Sequence, residues 1–315
     1  MPFLLNVFSR LAVLGQLQRI SYMTYCVALC VDEGLVFLSD TRTNAGVDHV
    51  SAARKMTVFE QPGERMLVLL GAGNLALTQS VVQLLTDPSD ATRPTLWNAP
   101  NMAEAARVVG QAVREVHQRD AKALAEFDID FNCSFILGGQ IRSHAPRLFM
   151  VYAAGNFIES TRVSPYFQIG ESKYGKPIID RVVTPETSLD EAAKCALVSM
   201  DSTLRSNLSV GLPLDLLVYE KDSLEVTRFA VLDQDNAYFQ MIHRTWGERL
   251  RQIFGEIPNP EWTGVGKSPL QDRSALPRAG MPLDATVTDP HSPAQTLAES
   301  VSDTPRHQQQ AQRQR

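Results

Sequence analysis

Residues 23–55 read MTYCVALCVDEGLVFLSDTRTNAGVDHVSAARK, and this stretch decides the fold. Met23 and Thr24 lead into an apolar, β-rich run from Tyr25 to Val31. A turn at Asp32-Glu33-Gly34 opens a second run, Leu35 to Leu38, which closes on Ser39-Asp40-Thr41-Arg42. Two alternating, β-branched-rich runs around a glycine-containing turn predict a hairpin. A polar loop follows, and Lys55 opens the next strand.

Thr24 is expected to become the first residue of the mature chain. A threonine hydroxyl is a weak nucleophile and needs a base. An N-terminal threonine carries one, because a free α-amine has a pKa of about 7.7 to 8, near working pH. Initiation at Met23 would expose that amine, since methionine is removed before small residues. Residues 1–22, MPFLLNVFSRLAVLGQLQRISY, are apolar, but Arg10 interrupts the continuous centre that a secretory signal requires. Three readings fit them: a misassigned start, a propeptide removed before Thr24, or a retained amphipathic helix. The last would leave the α-amine locked in a peptide bond.

Working outward, Met56 to Glu60 and Met66 to Leu70 are predicted strands around a turn at Gln61-Pro62-Gly63. GAGNLALTQSVVQLL then opens a helix. Gly71, Gly73 and Ala76 fit a dinucleotide fingerprint, but that motif belongs in an early βαβ unit. Here the helix runs instead to a loop and a second helix, Met102 to Glu126, with apolar residues three and four apart. Phe131 to Ile141 and Arg147 to Ala154 predict another hairpin. Short strands are expected at Phe157 to Glu159 and Tyr166 to Ile169. Helices follow at Lys176 to Arg181 and Ser188 to Arg205, then strands at Leu214 to Glu220 and Glu225 to Leu232. Tyr238 to Gly255 predicts a terminal helix.

Helices arrive in pairs between runs of antiparallel-type strands, which by periodicity alone supports an α+β fold. The chain has 315 residues, 44% hydrophobic and 21% charged, which suits a globular protein with a sizeable core. A formal charge of -5 argues against a nucleic-acid or anionic-membrane surface. Cys26 and Cys30 share one strand face but lie too far apart to pair, and no neighbouring ligands complete a zinc set. With Cys133 and Cys195 they read as buried free thiols of a reducing, cytoplasmic compartment. From Glu256 onward stand eight of the 18 prolines and a single aromatic, Trp262, before the ending RHQQQAQRQR. That composition cannot offset the entropy of ordering, so a disordered tail is expected over 256–315.

Thr24, SDTR at Ser39 to Arg42, and Lys55 occur in an order that resembles the proteasome-type β subunits of the N-terminal nucleophile hydrolases. MTYCVAL, GESKYGK and the long ending resemble, more narrowly, the bacterial Anbu family. The resemblance spans Met23 to Phe254 and implies a four-layer αββα sandwich over residues 24–255. It implies a threonine-type amide hydrolase, with Thr24 as nucleophile and, through its amine, base. Lys55 is implied as the neighbouring cation, held by Asp40, with Arg42 supporting the loop. The region of Gly71 would supply an oxyanion N–H, and Ser209 would keep the serine of a motif that supports the hydrogen bonding around the amine. Two positions depart from the peptidase pattern. Glu171, in Gly170-Glu171-Ser172-Lys173, takes the place of a serine. Ser206, in Ser206-Asn207-Leu208-Ser209-Val210-Gly211, takes the place of an aspartate. The resemblance further implies assembly with copies of the same chain, as a ring or an open helical ring, and a peptide or other amide substrate. It implies no metal or organic cofactor. Lys173 and Lys176 suit either an assembly interface or a substrate carboxylate. A narrow amidohydrolase or isopeptidase, and a non-enzymatic shell protein, are the rival readings; a regulator is unidentified.

Overall fold

A computed structural model describes residues 24–44, 50–87 and 94–260. The expectations for residues 1–22, and for the tail beyond residue 260, lie outside the described residues. The chain divides into a unit ending at Ile257 and one beginning at Pro258, and the architecture below belongs to the first.

Strand β1 (Tyr25–Val31) pairs with β2 (Gly34–Asp40) as the expected hairpin, with Val27 opposite Leu38. A two-stranded hairpin, β3 (Arg42–Asn44) and β4 (Val50–Ala52), occupies the span expected to be loop. Next come β5 (Met56–Gln61), β6 (Arg65–Gly73), helix α1 (Leu75–Thr86) and helix α2 (Met102–Glu126). Strands β7 (Cys133–Ile141), β8 (Arg147–Val151), β9 (Phe157–Glu159) and β10 (Tyr166–Gly170) follow. Helices α3 (Lys176–Val182) and α4 (Leu189–Ser206), strands β11 (Leu214–Glu220) and β12 (Arg228–Leu232), and helix α5 (Ala237–Glu256) complete the unit.

The strands form two five-stranded antiparallel sheets, ordered β10-β1-β2-β11-β12 and β5-β6-β7-β8-β9. Alternation along β1 shows how they stack. Tyr25, Val27 and Leu29 face one way, into a core shared with Ala192, Ala196 and Met200 of α4. Cys26 and Ala28 face the other way, into a core shared with Met66, Val68 and Ile136 of the second sheet. The outer face of that sheet, with Leu67, Leu69 and Leu137, packs against Val109 and Val113 of α2. Helices therefore cover both outer faces, and the order of layers is αββα. Burial on both faces explains why β1 and β2 are near-continuous apolar runs rather than alternating ones.

The helices start where the sequence caps them. Asn74, Asn101 and Asn236 accept from the N–H of Ala76, Glu104 and Phe239 at 3.0 Å. Ser188 caps α4: its hydroxyl oxygen accepts from the Glu191 N–H at 3.4 Å, and the hydroxyl donates to the Glu191 carboxylate at 3.0 Å. Between the sheets, the Phe37 ring sits against Gly138, where a Cβ would approach the ring to 2.7 Å. A residue-138 side chain and the Phe37 ring cannot share that space, so the two positions are coupled.

Phe37 is fully buried in the layer between the sheets. Replacing Phe37 by Ala is expected to lower stability by about 3–5 kcal/mol, read from the midpoint of urea unfolding.

Candidate active site

The site lies at the end of the first sheet where β1 begins and β2 ends. Cys26 pairs with Ser39, which places Tyr25 and Thr24 beside Asp40. Asp40 is fully buried, and three donors converge on it. Its Oδ1 accepts from Lys55 Nζ at 2.6 Å and from the Tyr25 N–H at 3.1 Å. Its Oδ2 accepts from the Gly211 N–H at 3.4 Å. Lys55, 7% exposed, also donates to the Arg42 carbonyl at 2.7 Å. Burial pushes the Asp40 carboxyl upward, and Lys55 with the two amides pulls against it. The 2.6 Å contact is that of a charge-assisted pair, so the Lys55–Asp40 ion pair is the state this geometry favours.

Thr24 is 5% exposed and immediately precedes β1. Its carbonyl accepts from the Glu171 N–H at 2.6 Å. Gly170, at a φ of 81°, makes that approach feasible, because a Cβ there would stand 1.7 Å from the Thr24 oxygen. Thr24 is thus fixed on both sides of its Cα–C segment: by Glu171 behind its carbonyl, and by Asp40 through the next amide.

Glu171 is buried, and its side chain joins a chain of contacts. Its Oε2 accepts from Asn207 Nδ2 at 3.0 Å, and Lys173 Nζ stands 3.5 Å from Oε1. Asn207 Oδ1 accepts from the N–H of Ser209 at 2.9 Å and from its hydroxyl at 2.7 Å. Ser209 therefore connects to Thr24 through Asn207 and Glu171. Ser206 is an exposed residue at the end of α4, and Asn207, which sequence reasoning treated as a spacer, makes the contacts. Arg42 supports the same loop by donating to the Leu208 carbonyl at 2.9 Å.

Gly71 has a different part from the one expected. Its N–H donates to the Lys55 carbonyl at 2.9 Å, extending the β5–β6 ladder, and so is unavailable to an oxyanion. The Asn74 N–H bonds the Asn132 carbonyl on the β7 side, so the pleat sends the N–H of Gly71 and Gly73 to the opposite edge. The regular β5–β6 pairing stops at Met56 opposite Leu70, and Gly73 lies beyond it. Glycine is required there: φ is 115°, and a Cβ would stand 2.3 Å from the Asn132 carbonyl oxygen.

Beneath the site Cys26, Ser39 and Asp215 are aligned across β1, β2 and β11. Burial pushes the Cys26 thiol well up, which makes it a packing residue and a poor nucleophile. Asp215 is 1% exposed, and neither of its oxygens has a hydrogen-bond partner. Arg54 Nε, 4.0 Å away, is the charge beside it. Burial raises the Asp215 pKa, and Arg54 opposes the shift.

The proteasome subunit family model matches residues 23–215. The chain is 54% identical to Anbu, the ancestral β-subunit, from Yersinia bercovieri, with a TM-score of 0.72 over 76% of this chain and 100% of that one. This chain belongs to the proteasome family, in its Anbu branch. Anbu from Hyphomicrobium sp. strain MC1 is 52% identical, with a TM-score of 0.69 over 76% of this chain and 100% of that one. A helical assembly of the Anbu complex from Pseudomonas aeruginosa has a subunit 48% identical, with a TM-score of 0.73 and the same two coverages, 76% and 100%. No curated protein matches the chain. The αββα architecture is that of the family. Among the described residues, no helix is long and apolar enough to cross a membrane, and no cluster of three or more His, Cys, Asp or Glu is placed to hold a metal.

Removing one member of the buried pair strands the other. Lys55→Met is expected to cost about 3–5 kcal/mol, and adding Asp40→Asn to recover part of it in a double-mutant cycle by urea unfolding. Asp215 gives a pH signature. Its folded pKa lies above the unfolded one, so its stability contribution is complete below the ordinary carboxylate range and is lost as pH rises through the folded pKa. Asp215→Asn, which cannot ionise, should therefore gain stability relative to the parent as pH rises from about 4 to 8.

Proposed function

We propose that the protein is a cytoplasmic, self-assembling threonine hydrolase of amide bonds, with Thr24 as the nucleophile of the 24–255 domain. The observation that carries the reading is the single oxygen Asp40 Oδ1, which binds both Lys55 Nζ and the amide that follows Thr24. It ties the cation to the backbone of the nucleophile. With Thr24 first in the chain, its α-amine accepts the hydroxyl proton as Oγ1 attacks the acyl carbon. That proton passes to the leaving nitrogen as the C–N bond breaks, and an ester to Thr24 remains. Water, deprotonated by the same amine, attacks the ester; the acid leaves and the threonine oxygen recovers its proton. The positive charge of Lys55 favours the developing anionic oxygen and disfavours the ammonium form of the amine.

In this reading the Gly73 N–H, rather than that of Gly71, is the oxyanion donor, and such donors are among the larger contributions to acyl transfer. Ser209 and Asn207 position the Glu171 side of the site. The relative solved as a helical assembly supports association of this chain with its own copies. Four free cysteines, three of them buried, suit a reducing compartment.

Intact-mass measurement of protein made in its native host is expected to show Thr24 leading the chain. A β-lactone probe should then add once per chain. Thr24→Ala should abolish the adduct and lower amide turnover by at least about a thousandfold, while Thr24→Ser retains both. Normal turnover by protein that still carries residues upstream of Thr24 would overturn the reading.

A further inference from the structure

Beyond the Asp40–Lys55 pair, a second acid borders Thr24. Tyr25 of β1 lies opposite Gly170 of β10, so the next step along the two strands sets Thr24 opposite Glu171. The Glu171 N–H, 2.6 Å from the Thr24 carbonyl, closes that step. Opposite residues of an antiparallel pair hold their Cβ atoms about 4.5–5.5 Å apart, a gap that a glutamate side chain can span. Thr24 is 5% exposed and Glu171 7%, so little water screens one from the other.

The other charged groups of this corner come from several elements. Asp40 ends β2, Arg42 opens β3, Lys55 precedes β5, and Lys173 follows β10. Asp40 and Lys55 meet at 2.6 Å and offset each other. Arg42 is turned to the Leu208 carbonyl. Beneath them, burial favours the neutral forms of Cys26 and Asp215. Glu171 is compensated more loosely than Asp40. Its Oε2 accepts from the Asn207 amide, which carries no charge. Its Oε1 faces Lys173 Nζ at 3.5 Å, but the Lys173 side chain is 67% exposed, so water screens that pair. A cation arising on the Thr24 nitrogen would therefore meet a buried carboxylate whose charge is only partly cancelled.

We propose that Glu171 is a positioning residue for proton transfer: its carboxylate stabilises the ammonium form of the Thr24 α-amine and sets the pH at which that amine becomes a base. The proposal rests on Thr24 leading the chain, as the nucleophile reading requires. An opposite charge within about 4–6 Å favours the charged form of a base, so Glu171 raises the pKa of the amine while Lys55 lowers it. The amine takes the hydroxyl proton from Oγ1, and the Glu171 carboxylate steadies the resulting ammonium until the proton passes to the leaving nitrogen. Glu171 itself exchanges no proton and forms no bond to substrate.

The test uses protein whose intact mass places Thr24 first, labelled with 13C-threonine. The Thr24 signal is assigned by its absence from Thr24→Ser protein, and its pH dependence reads the amine pKa without requiring turnover. Glu171→Gln, which keeps an oxygen for Asn207 Nδ2, is expected to lower that pKa by about one pH unit. Lys173→Ala should move it the opposite way, by less. The acid limb of β-lactone addition should follow, so that below the parent's amine pKa the Glu171→Gln protein reacts up to about tenfold faster than the parent. A merely structural Glu171 would leave the midpoint in place and slow addition at every pH. An amine pKa that is equal in parent and Glu171→Gln, or higher in the variant, overturns the proposal and leaves Thr24 as nucleophile. Native protein that retains residues upstream of Thr24 overturns both. If Glu171→Gln does not fold, Lys173→Ala decides: an upward move supports the proposal, and none overturns it.

Discussion

One buried carboxylate organises this end of the molecule. Asp40 has no exposure to solvent, and its two oxygens are satisfied by groups from three separate parts of the chain. Lys55 comes from the start of β5, the Tyr25 amide from the start of β1, and the Gly211 amide from the loop before β11. A buried charge without partners is costly, so these segments meet here or the site does not form. The Arg42 carbonyl takes a second Lys55 proton and Arg42 itself bonds the 208 carbonyl, so the same contacts brace the loop that carries Ser209.

Two acids therefore lie close together with opposite circumstances. Asp40 is saturated with donors, while Asp215 has none. The first is suited to hold a cation permanently. The second is pushed toward its neutral form by burial, and Arg54 pulls the other way. Burial pushes both carboxyls upward, but only Asp40 has donors and a close cation to pull against it. Here the result is one cation held against Asp40 at 2.6 Å and a second, Arg54, standing 4.0 Å from Asp215.

Much of this was legible in the chain. Burial on both faces wrote β1 and β2 as apolar runs, and asparagine or serine caps marked four of the five helix starts. The order Thr24, Asp40, Lys55 pointed to the family, and hence to the four layers that periodicity alone could not distinguish. What escaped was local. The β3–β4 hairpin pairs three residues with three, Arg42–Asn44 with Val50–Ala52, too short a run to carry a periodic signal. Pleat parity decides which amide of β6 faces the site, and a motif containing both Gly71 and Gly73 does not reveal it. Asn207 lay in plain view between Ser206 and Ser209. Its importance follows from where α4 stops: the helix leaves Ser206 in solvent and turns the next side chain toward Glu171.

The contacts that frame Thr24 exist while it is still joined to Met23. Its carbonyl already rests on the Glu171 amide, and the following amide already rests on Asp40. None of them uses the α-nitrogen. Severing the bond between Met23 and Thr24 would leave both of these contacts in place and turn an amide nitrogen into a titratable amine. The backbone of Thr24 is thus anchored from its C-terminal side, and its nitrogen carries no part of that anchorage.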